Sequence, residues 1–238
     1  MSRAIPQAVT AELVKLGGLP AVVATALGTV GVAVVMTGAL AASPVGADQP
    51  AAILFQAVPY LQAGMILLGV LTVGTEYTGD QIRTALICVP DRWSVLTGKL
   101  VAYLTWAAGT AVATVLAGLL TADVALAGRG GPTADAWWPV VGASAYLVLI
   151  GLLAQLLAVL TRALLPALVG MLCLVFVLTP VLRGVTGHAR YLPDVAGGLL
   201  YRPGSDDVLT PATGLVVLLG WLLAVGTVAV TAFLHRDA

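Results

Sequence analysis

The sequence predicts an all-α integral membrane protein, with six transmembrane helices in a single transmembrane domain over residues 1–238. Hydrophobic residues make up 60% of the 238-residue chain, charged residues make up only 9%, and the mean hydropathy is +1.03. A soluble domain of this length needs more polar surface than this to cover its core. The apolar residues fall into six runs of about 20, the length at which a helix crosses the hydrocarbon core of a bilayer.

A short amphipathic helix is predicted over residues 5–16, ahead of the first span. Its apolar residues recur at helical spacing and its polar residues occupy the other faces, a pattern that lets a helix lie flat in the membrane interface. Gly17 and Gly18 predict the end of this helix, and Pro20 suits the first turn of the next one. The first span is therefore predicted over residues 19–42.

The other five spans follow from hydropathy in the same way. Trp137 and Trp138 mark a membrane interface at the start of the fourth of the six spans. In the third, small residues recur every four positions, at Gly109, Ala113 and Ala117, which suits close helix packing. The predicted bounds are 53–73, 100–121, 138–160, 164–182 and 213–234.

Basic residues predict the orientation of the chain. If the N-terminus lies in the cytoplasm, seven of the 11 lysines and arginines lie on that side and four on the other. The positive-inside rule then favours cytoplasmic N- and C-termini. Nine arginines against two lysines, with abundant alanine, valine and glycine, are typical of a GC-rich bacterial genome, so we expect a bacterial cytoplasmic membrane.

Between the second and third spans, residues 74–99 concentrate charge in a chain that has little of it. Thr78 followed by Gln81 is a capping-box pattern, and Pro90 ends the helix that it predicts. Apolar residues follow at helical spacing, and they are Ile82, Ala85, Leu86 and Val89. A helix of about ten residues does not persist alone in water, so it needs either the membrane interface or a groove on a partner. The alternative is an inert interfacial loop.

The connection between the fifth and sixth spans, residues 183–212, is too long for a structureless loop. Its central part, residues 191–201, is too apolar for a free loop and too short to cross a bilayer. We predict a pair of short re-entrant helices that dip into the outer leaflet, where irregular backbone must be buried in protein. A loop on the surface is the alternative.

Polar groups inside the spans are candidates for a substrate path. No Asp, Glu, Lys, Arg or His lies in the middle of a predicted span, which counts against a proton-driven carrier. Interhelical hydrogen bonding is the alternative explanation for the polar residues, and packing is the alternative for the methionine. The candidates are Thr25, Thr29, Gln56, Tyr60, Gln62 and Met171.

Several function classes are disfavoured by what the sequence lacks. A net charge of zero argues against a nucleic-acid surface. The chain has no phosphate-binding Gly-x-x-x-x-Gly-Lys-Ser/Thr loop, so we expect no ATP site of this kind in it. Ser144 has no base that could activate it, and no zinc-site motif is present, so we expect no catalysis, no metal and no cofactor in this chain.

The stretch after the second span resembles that of type-2 ABC exporter permeases, in which it often has the pattern Glu-Tyr-x-x-Gly-Thr-x-x-x-x-Leu-x-x-Pro-x-x-Arg. The residues that carry the resemblance are Glu76, Tyr77, Gly79, Ile82, Arg83, Thr84, Leu86, Pro90, Arg92 and Lys99. The chain departs from the pattern at Asp80, where the family more often has threonine. The N-terminal helix with Glu12 and Lys15, the six spans and a Tyr-Leu-Pro element before the sixth extend the resemblance over the whole chain.

The resemblance implies that the 78–89 helix is a coupling helix seated in a cytoplasmic ABC ATPase subunit, which binds the ATP and Mg²⁺. It implies a second permease subunit, identical or homologous, and export of a hydrophobic or amphipathic drug, antibiotic, lipid or peptide. The expected docking residues are Glu76, Tyr77, Gly79, Asp80, Ile82, Arg83, Leu86, Val89, Pro90 and Arg92, and the expected external gate is Tyr191, Leu192 and Pro193. The alternative is a membrane scaffold or immunity protein that acts by binding alone.

Overall fold

The computed structural model describes residues 4–43, 49–78, 92–126 and 137–235, and within these ranges every regular element is a helix. In chain order these are α1 (Ala4–Gly18), α2 (Pro20–Ala41), α3 (Pro50–Thr78), α4 (Arg92–Ala125), α5 (Trp137–Thr161), α6 (Leu164–Cys173), a π-helical turn (Leu174–Leu178), α7 (Thr179–Val185), a 3-10 helix (Gly187–Tyr191), α8 (Pro193–Gly198) and α9 (Pro211–His235).

Six segments of these helices are long and apolar enough to cross a membrane, so the chain has the architecture of a multi-pass membrane protein. This confirms the predicted helical fold with six spans. The fifth span is continuous from α6 through the π-helical turn into α7. The bounds are Pro20–Ala41, Pro50–Gly74, Leu96–Ala125, Trp137–Thr161, Leu164–Val185 and Pro211–Ala232.

The helices differ from their predicted bounds mainly at the ends that leave the apolar runs. α1 continues through Gly17 and Gly18, and the chain leaves the helix only at Leu19, whose backbone is extended. α3 continues to Thr78 and α4 starts at Arg92, so both extend past the spans predicted from hydropathy. Hydropathy marks the part of a helix that suits hydrocarbon, whereas backbone hydrogen bonds can continue the helix into water.

Much of the predicted coupling element lies outside the described residues. This applies to the helix over residues 78–89 beyond Thr78, and to its expected docking residues Gly79, Asp80, Ile82, Arg83, Leu86, Val89 and Pro90. Glu76 and Tyr77 belong to the last turns of α3, and Arg92 is the first residue of α4. The docking role of all ten residues therefore stays a prediction.

The centre of the bundle is α3, which packs against α2, α4, α5 and α6. Its closest approach is to α5, where a Cβ on Gly69 would lie 2.0 Å from the carbonyl oxygen of Gly151. α4 joins the same contact because the Tyr103 hydroxyl donates to the Val148 carbonyl at 2.9 Å. Only residues without a side chain allow backbones this close, so these glycines set the spacing of the central helices.

An ion pair fixes the N-terminal helix to the bundle. α1 packs mainly against α4, and the Lys99 ammonium lies 2.9 Å from a Glu12 carboxylate oxygen. The Lys99 side chain is 4% exposed and that of Glu12 is 16% exposed. A buried ammonium is costly without a counter-charge, so this pair holds α1 in a defined position on α4.

The ridge of small residues on α4 is not packed inside the chain along its whole length. Gly109 and Ala113 are exposed, and a Cβ on Gly109 would meet nothing within 4 Å, whereas Ala117 is partly buried. The close intramolecular contact on this helix is at Gly118, where a Cβ would lie 2.9 Å from a methyl carbon of Leu54.

Candidate functional site

Residues 186–210, here called the cap segment, fold over one end of the bundle as two short helices and a series of turns. The Thr186 hydroxyl accepts a hydrogen bond from the His188 N–H and starts the 3-10 helix, and α8 follows after Leu192. The Trp221 indole donates to the Tyr191 carbonyl at 2.8 Å, which fastens the segment to α9. Two short helices therefore occupy the predicted stretch, and their insertion into a membrane leaflet stays a prediction.

Glycines allow α8 to sink between the spans. A Cβ on Gly142 of α5 would lie 2.1 Å from the Leu200 carbonyl oxygen, and one on Gly214 of α9 would lie 2.4 Å from that of Ala196. The backbone of α8 thus rests directly on α9, that of the turn after α8 rests on α5, and Ala196 is fully buried. The part of the cap segment around α8 is thus packed into the bundle, with Pro193, Val195, Ala196 and Gly197 buried.

The three expected gate residues lie together where the 3-10 helix meets α8. Tyr191 is half-exposed, Leu192 adopts an extended conformation, and Pro193 is buried as the first residue of α8. The structure thus places them at the junction between the two short helices of the cap segment, and their role as a gate stays a prediction.

A cavity of about 350 Å³ lies between the cap segment and helices α3, α5 and α7. This volume falls within the range of about 300–1,000 Å³ that is typical of small-molecule sites. We call it the cap cavity. Its charged lining residues are Arg183, Arg190, Arg202, Asp194 and Asp206, and its other polar ones include Gln62, Tyr146, Thr186, Tyr201 and Ser205.

A proline in α3 creates the point at which the cap segment attaches. Pro59 has no N–H, so the carbonyl of Phe55, four residues earlier, has no helical donor. Arg202 supplies one, because its Nη2 donates to the Phe55 oxygen at 2.7 Å. The guanidinium carbon also lies 5.5 Å from the centre of the Tyr201 ring. A side chain of the cap segment therefore supplies the hydrogen-bond donor that the proline removes from α3.

The deep end of the cap cavity is polar but uncharged. The Tyr146 hydroxyl donates to Gln62 Oε1, an interhelical bond between α5 and α3. Gln62 Nε2 donates to the Pro59 carbonyl at 2.7 Å. A side-chain amide has two N–H donors, and this bond engages one of them. The ring centroids of Tyr146 and Tyr201 lie 5.3 Å apart, and both residues line the cavity.

Asp194 joins the cap segment to the fifth span. Its Oδ1 lies 2.9 Å from Thr179 Oγ1, which is also 3.0 Å from the Leu174 carbonyl in the π-helical turn. A hydroxyl has a single proton, so Thr179 can donate fully to only one of these oxygens. Burial raises the pKa of Asp194, and the hydrogen bond from Thr179 and the charge of Arg183 partly oppose this effect.

The other charged groups at the mouth of the cap cavity are partly paired. The Val208 and Leu209 N–H groups donate to Asp206 and lower its pKa, and Arg190 lies 3.5 Å away from the same carboxylate. Arg183, by contrast, makes no hydrogen bond or ion pair within the described part of the chain. With three arginines and two aspartates, the lining has an excess of one positive charge.

The structure divides the expected substrate-path residues among separate places. Thr25, Thr29 and Tyr60 line an apolar groove of about 300 Å³ between α2 and α3, and Gln62 lines the cap cavity. Met171 is 2% exposed in the core, where it packs. Gln56 is half-buried on α3.

Most of the hydroxyl groups in that set do not bridge helices. Thr29 Oγ1 donates to the Thr25 carbonyl, and Thr25 Oγ1 donates to that of Ala21, each at 2.7 Å within α2. Among the expected path residues, the interhelical explanation applies to Gln62, which bonds Tyr146 across the bundle.

Sequence reasoning missed the charged lining of the cap cavity. The expected substrate-path residues are all uncharged, and none of the charged lining residues is among them. The available signal was the density of charge in that stretch, which holds six charged residues in a chain that is 9% charged. They are Arg183, Arg190, Asp194, Arg202, Asp206 and Asp207.

Comparison with known proteins adds no relative to this picture. No family model matches the chain, and no curated protein matches it. The likeness to type-2 ABC exporter permeases is therefore carried by the sequence pattern alone, together with a helical fold of six spans that is compatible with it.

Proposed function

We propose that the chain is the membrane-spanning permease subunit of an ATP-driven exporter of the ABC type, acting in a bacterial cytoplasmic membrane. The cap cavity is the observation that carries this proposal. It is a polar cavity of about 350 Å³ at one end of an apolar six-span bundle, and its deep end is built from residues of two spans. A membrane protein that only fills space or binds through its surface does not need such a cavity.

The second support is the apolar groove between α2 and α3, which is lined mainly by apolar residues of both helices. Tyr60 and Leu61 line it, and Pro59 and Gln62 of the same helix line the cap cavity. α3 therefore separates an apolar surface from a polar chamber. An amphipathic cargo has an apolar part that favours the groove and a polar part that favours the cavity.

The contacts of α3 suggest how a movement driven by the ATPase subunit would reach the cap cavity. The proposed coupling helix follows α3 directly, and an ATPase subunit that presses on it moves the end of α3. At its other end α3 is joined to the cap segment through the Phe55 carbonyl and Arg202. The Glu12–Lys99 pair links α1 to α4, which follows the coupling helix. ATP hydrolysis takes place in the ATPase subunit, and a second permease subunit completes the route.

The test is to purify the chain together with an ATPase encoded beside it and to change one face of the coupling helix. Leu86→Asp places a carboxylate on the apolar stripe, and we expect loss of both ATPase binding and ATP-dependent export, with normal membrane insertion. Thr84→Asp adds the same charge away from the stripe and is the matched control. Full export by the Leu86→Asp variant, or no association with any ATPase, would refute the proposal and favour a protein that acts by binding alone.

A further inference from the structure

We infer that the cap cavity is a binding site for an organic anion, a compound with one carboxylate or phosphate and a neutral polar group. The binding itself stands on the geometry of this chain. Only the role of that compound as cargo depends on the proposed function.

The first step is the charge of the lining. Two of the five charged groups are carboxylates with local partners, since Asp206 accepts from two backbone N–H groups and Asp194 from Thr179. If both are counted as fully ionised, three guanidinium groups still leave one positive charge in excess. Protonation of either carboxylate increases that excess. A cavity with this balance favours a ligand of opposite sign.

The second step is the availability of a donor. Arg190 is held by the Gly187 carbonyl at 2.7 Å and by Asp206, and Arg202 is held by the Phe55 carbonyl. Arg183 lines the same cavity without a hydrogen bond or an ion pair in the described ranges. A guanidinium has five N–H donors in a planar fork that matches a carboxylate or phosphate. Arg183 is therefore the residue that would hold the anionic group.

The third step is the length of the cavity. Arg202 attaches to α3 at Phe55, and Gln62 lies seven residues further along the same helix, which corresponds to about 10 Å. At that depth Gln62 has a second amide N–H, and Tyr146 has hydroxyl lone pairs. Arg183 lines the same cavity of about 350 Å³ as these neutral groups, so a ligand whose charge pairs with Arg183 has neutral polar partners available for its other end.

The experiment is calorimetric titration of the purified full-length chain in a neutral detergent, without any ATPase. The probes are naphthoate and naphthyl phosphate, each with a hydroxyl group on the ring far from the anion. Naphthylmethanol with the same ring hydroxyl is the analogue of the same shape without the negative charge, and protein-free micelles give the blank. We expect the two anions to bind at least about tenfold more tightly than the alcohol, because each gains a charge-assisted hydrogen bond. Equal binding of the three probes would overturn the inference.

Variants then locate the site. Arg183→Gln is expected to weaken binding of the anions about tenfold and to leave binding of the alcohol unchanged, whereas Arg183→Lys keeps the charge and should retain most of the affinity. Arg162→Gln, in the turn at the opposite end of α5, is the matched control for loss of one arginine. Unchanged anion binding in Arg183→Gln would place the anion elsewhere and would refute the assignment.

Two further arms separate the possible sources of the anion. In phosphatidylcholine nanodiscs, competition by added phosphatidylglycerol against naphthyl phosphate identifies a lipid head group, and the lack of competition identifies a water-soluble anion. Anion binding by a chain that associates with no ATPase would leave this inference intact and refute the proposed function. If ATP-dependent export is measured but the purified chain does not bind the anions, this inference is refuted and the proposed function is not.

Discussion

Replacing Arg202 with methionine tests whether Pro59 creates the attachment point of the cap segment. Loss of the guanidinium leaves the Phe55 carbonyl without its donor at 2.7 Å. This costs about 1.5 kcal/mol, the lower end for a hydrogen bond to a charged group, because Arg202 is exposed. Loss of the contact with the Tyr201 ring adds about 0.5 kcal/mol. We therefore expect Arg202→Met to lower the free energy of unfolding by about 2 kcal/mol.

Pro59→Ala supplies the background that isolates the carbonyl. Alanine restores an N–H at residue 59, which can donate to the Phe55 oxygen inside α3. In that background Arg202→Met should cost only the ring contact, about 0.5 kcal/mol. The expected coupling energy between the two positions is thus about 1.5 kcal/mol.

The assay is equilibrium unfolding of the four proteins in detergent micelles, followed by tryptophan fluorescence. Trp221 donates to the Tyr191 carbonyl and so reports on the cap segment. If Arg202→Met costs the same with proline and with alanine at position 59, the arginine does not act through the Phe55 carbonyl. The explanation of the proline would then be wrong.

Three other changes test the ion pair, the buried aspartate and the central helix contact. Glu12→Gln removes the carboxylate beside Lys99 and should lower the free energy of unfolding by about 3 kcal/mol. Combining it with Lys99→Met should cost less than the sum of the two single changes. Additive costs in this double-mutant cycle would contradict the prediction. Burial raises the pKa of Asp194 above 3.8, so the native state holds this proton more tightly than the unfolded state does. The protonated Asp194 contributes fully to stability below the ordinary pKa of an aspartate, and this contribution is lost as the pH rises through the raised pKa. Asp194→Asn should therefore flatten the plot of stability against pH in that range; an unchanged slope would contradict this prediction. Gly69→Ala places a methyl group 2.0 Å from a backbone oxygen of α5 and should cost at least about 2 kcal/mol in unfolding experiments. Gly28→Ala meets nothing within 4 Å and should leave stability unchanged or raise it by up to about 1 kcal/mol, because alanine favours the helix; similar values for both variants would show that the contact is not tight.

The substrate-path residues show how far sequence reasoning could go at the candidate site. Polarity inside an apolar run singled out Thr25, Thr29, Tyr60 and Gln62, and the structure places each of them on the wall of a groove or cavity. Polarity could not tell which wall, because that depends on how α2 and α5 are rotated against α3. Nor could it detect that Met171 packs in the core, since a methionine suits either place.

No local sequence pattern indicated that Lys99 forms an ion pair with Glu12. The sequence shows a lysine at the start of the third span and a glutamate in the N-terminal helix, 87 positions apart. Only the packing of α1 on α4 brings the ammonium and the carboxylate to 2.9 Å. Pairing over such a separation follows from the fold and leaves no local pattern in the chain.

The sequence by itself determined the helical class, the six spans and the break in the hydrogen bonding of α3 at Pro59. These follow from local rules, because a bilayer has a fixed thickness, a helix pairs the backbone groups of a span within that span, and proline lacks the N–H that would continue the pairing. The tertiary structure decided that a proline in the second span, a tyrosine in the fourth and arginines after the fifth enclose one cavity. That outcome depends on which helix faces meet, and the glycine contacts that bring them together act between residues far apart in the chain.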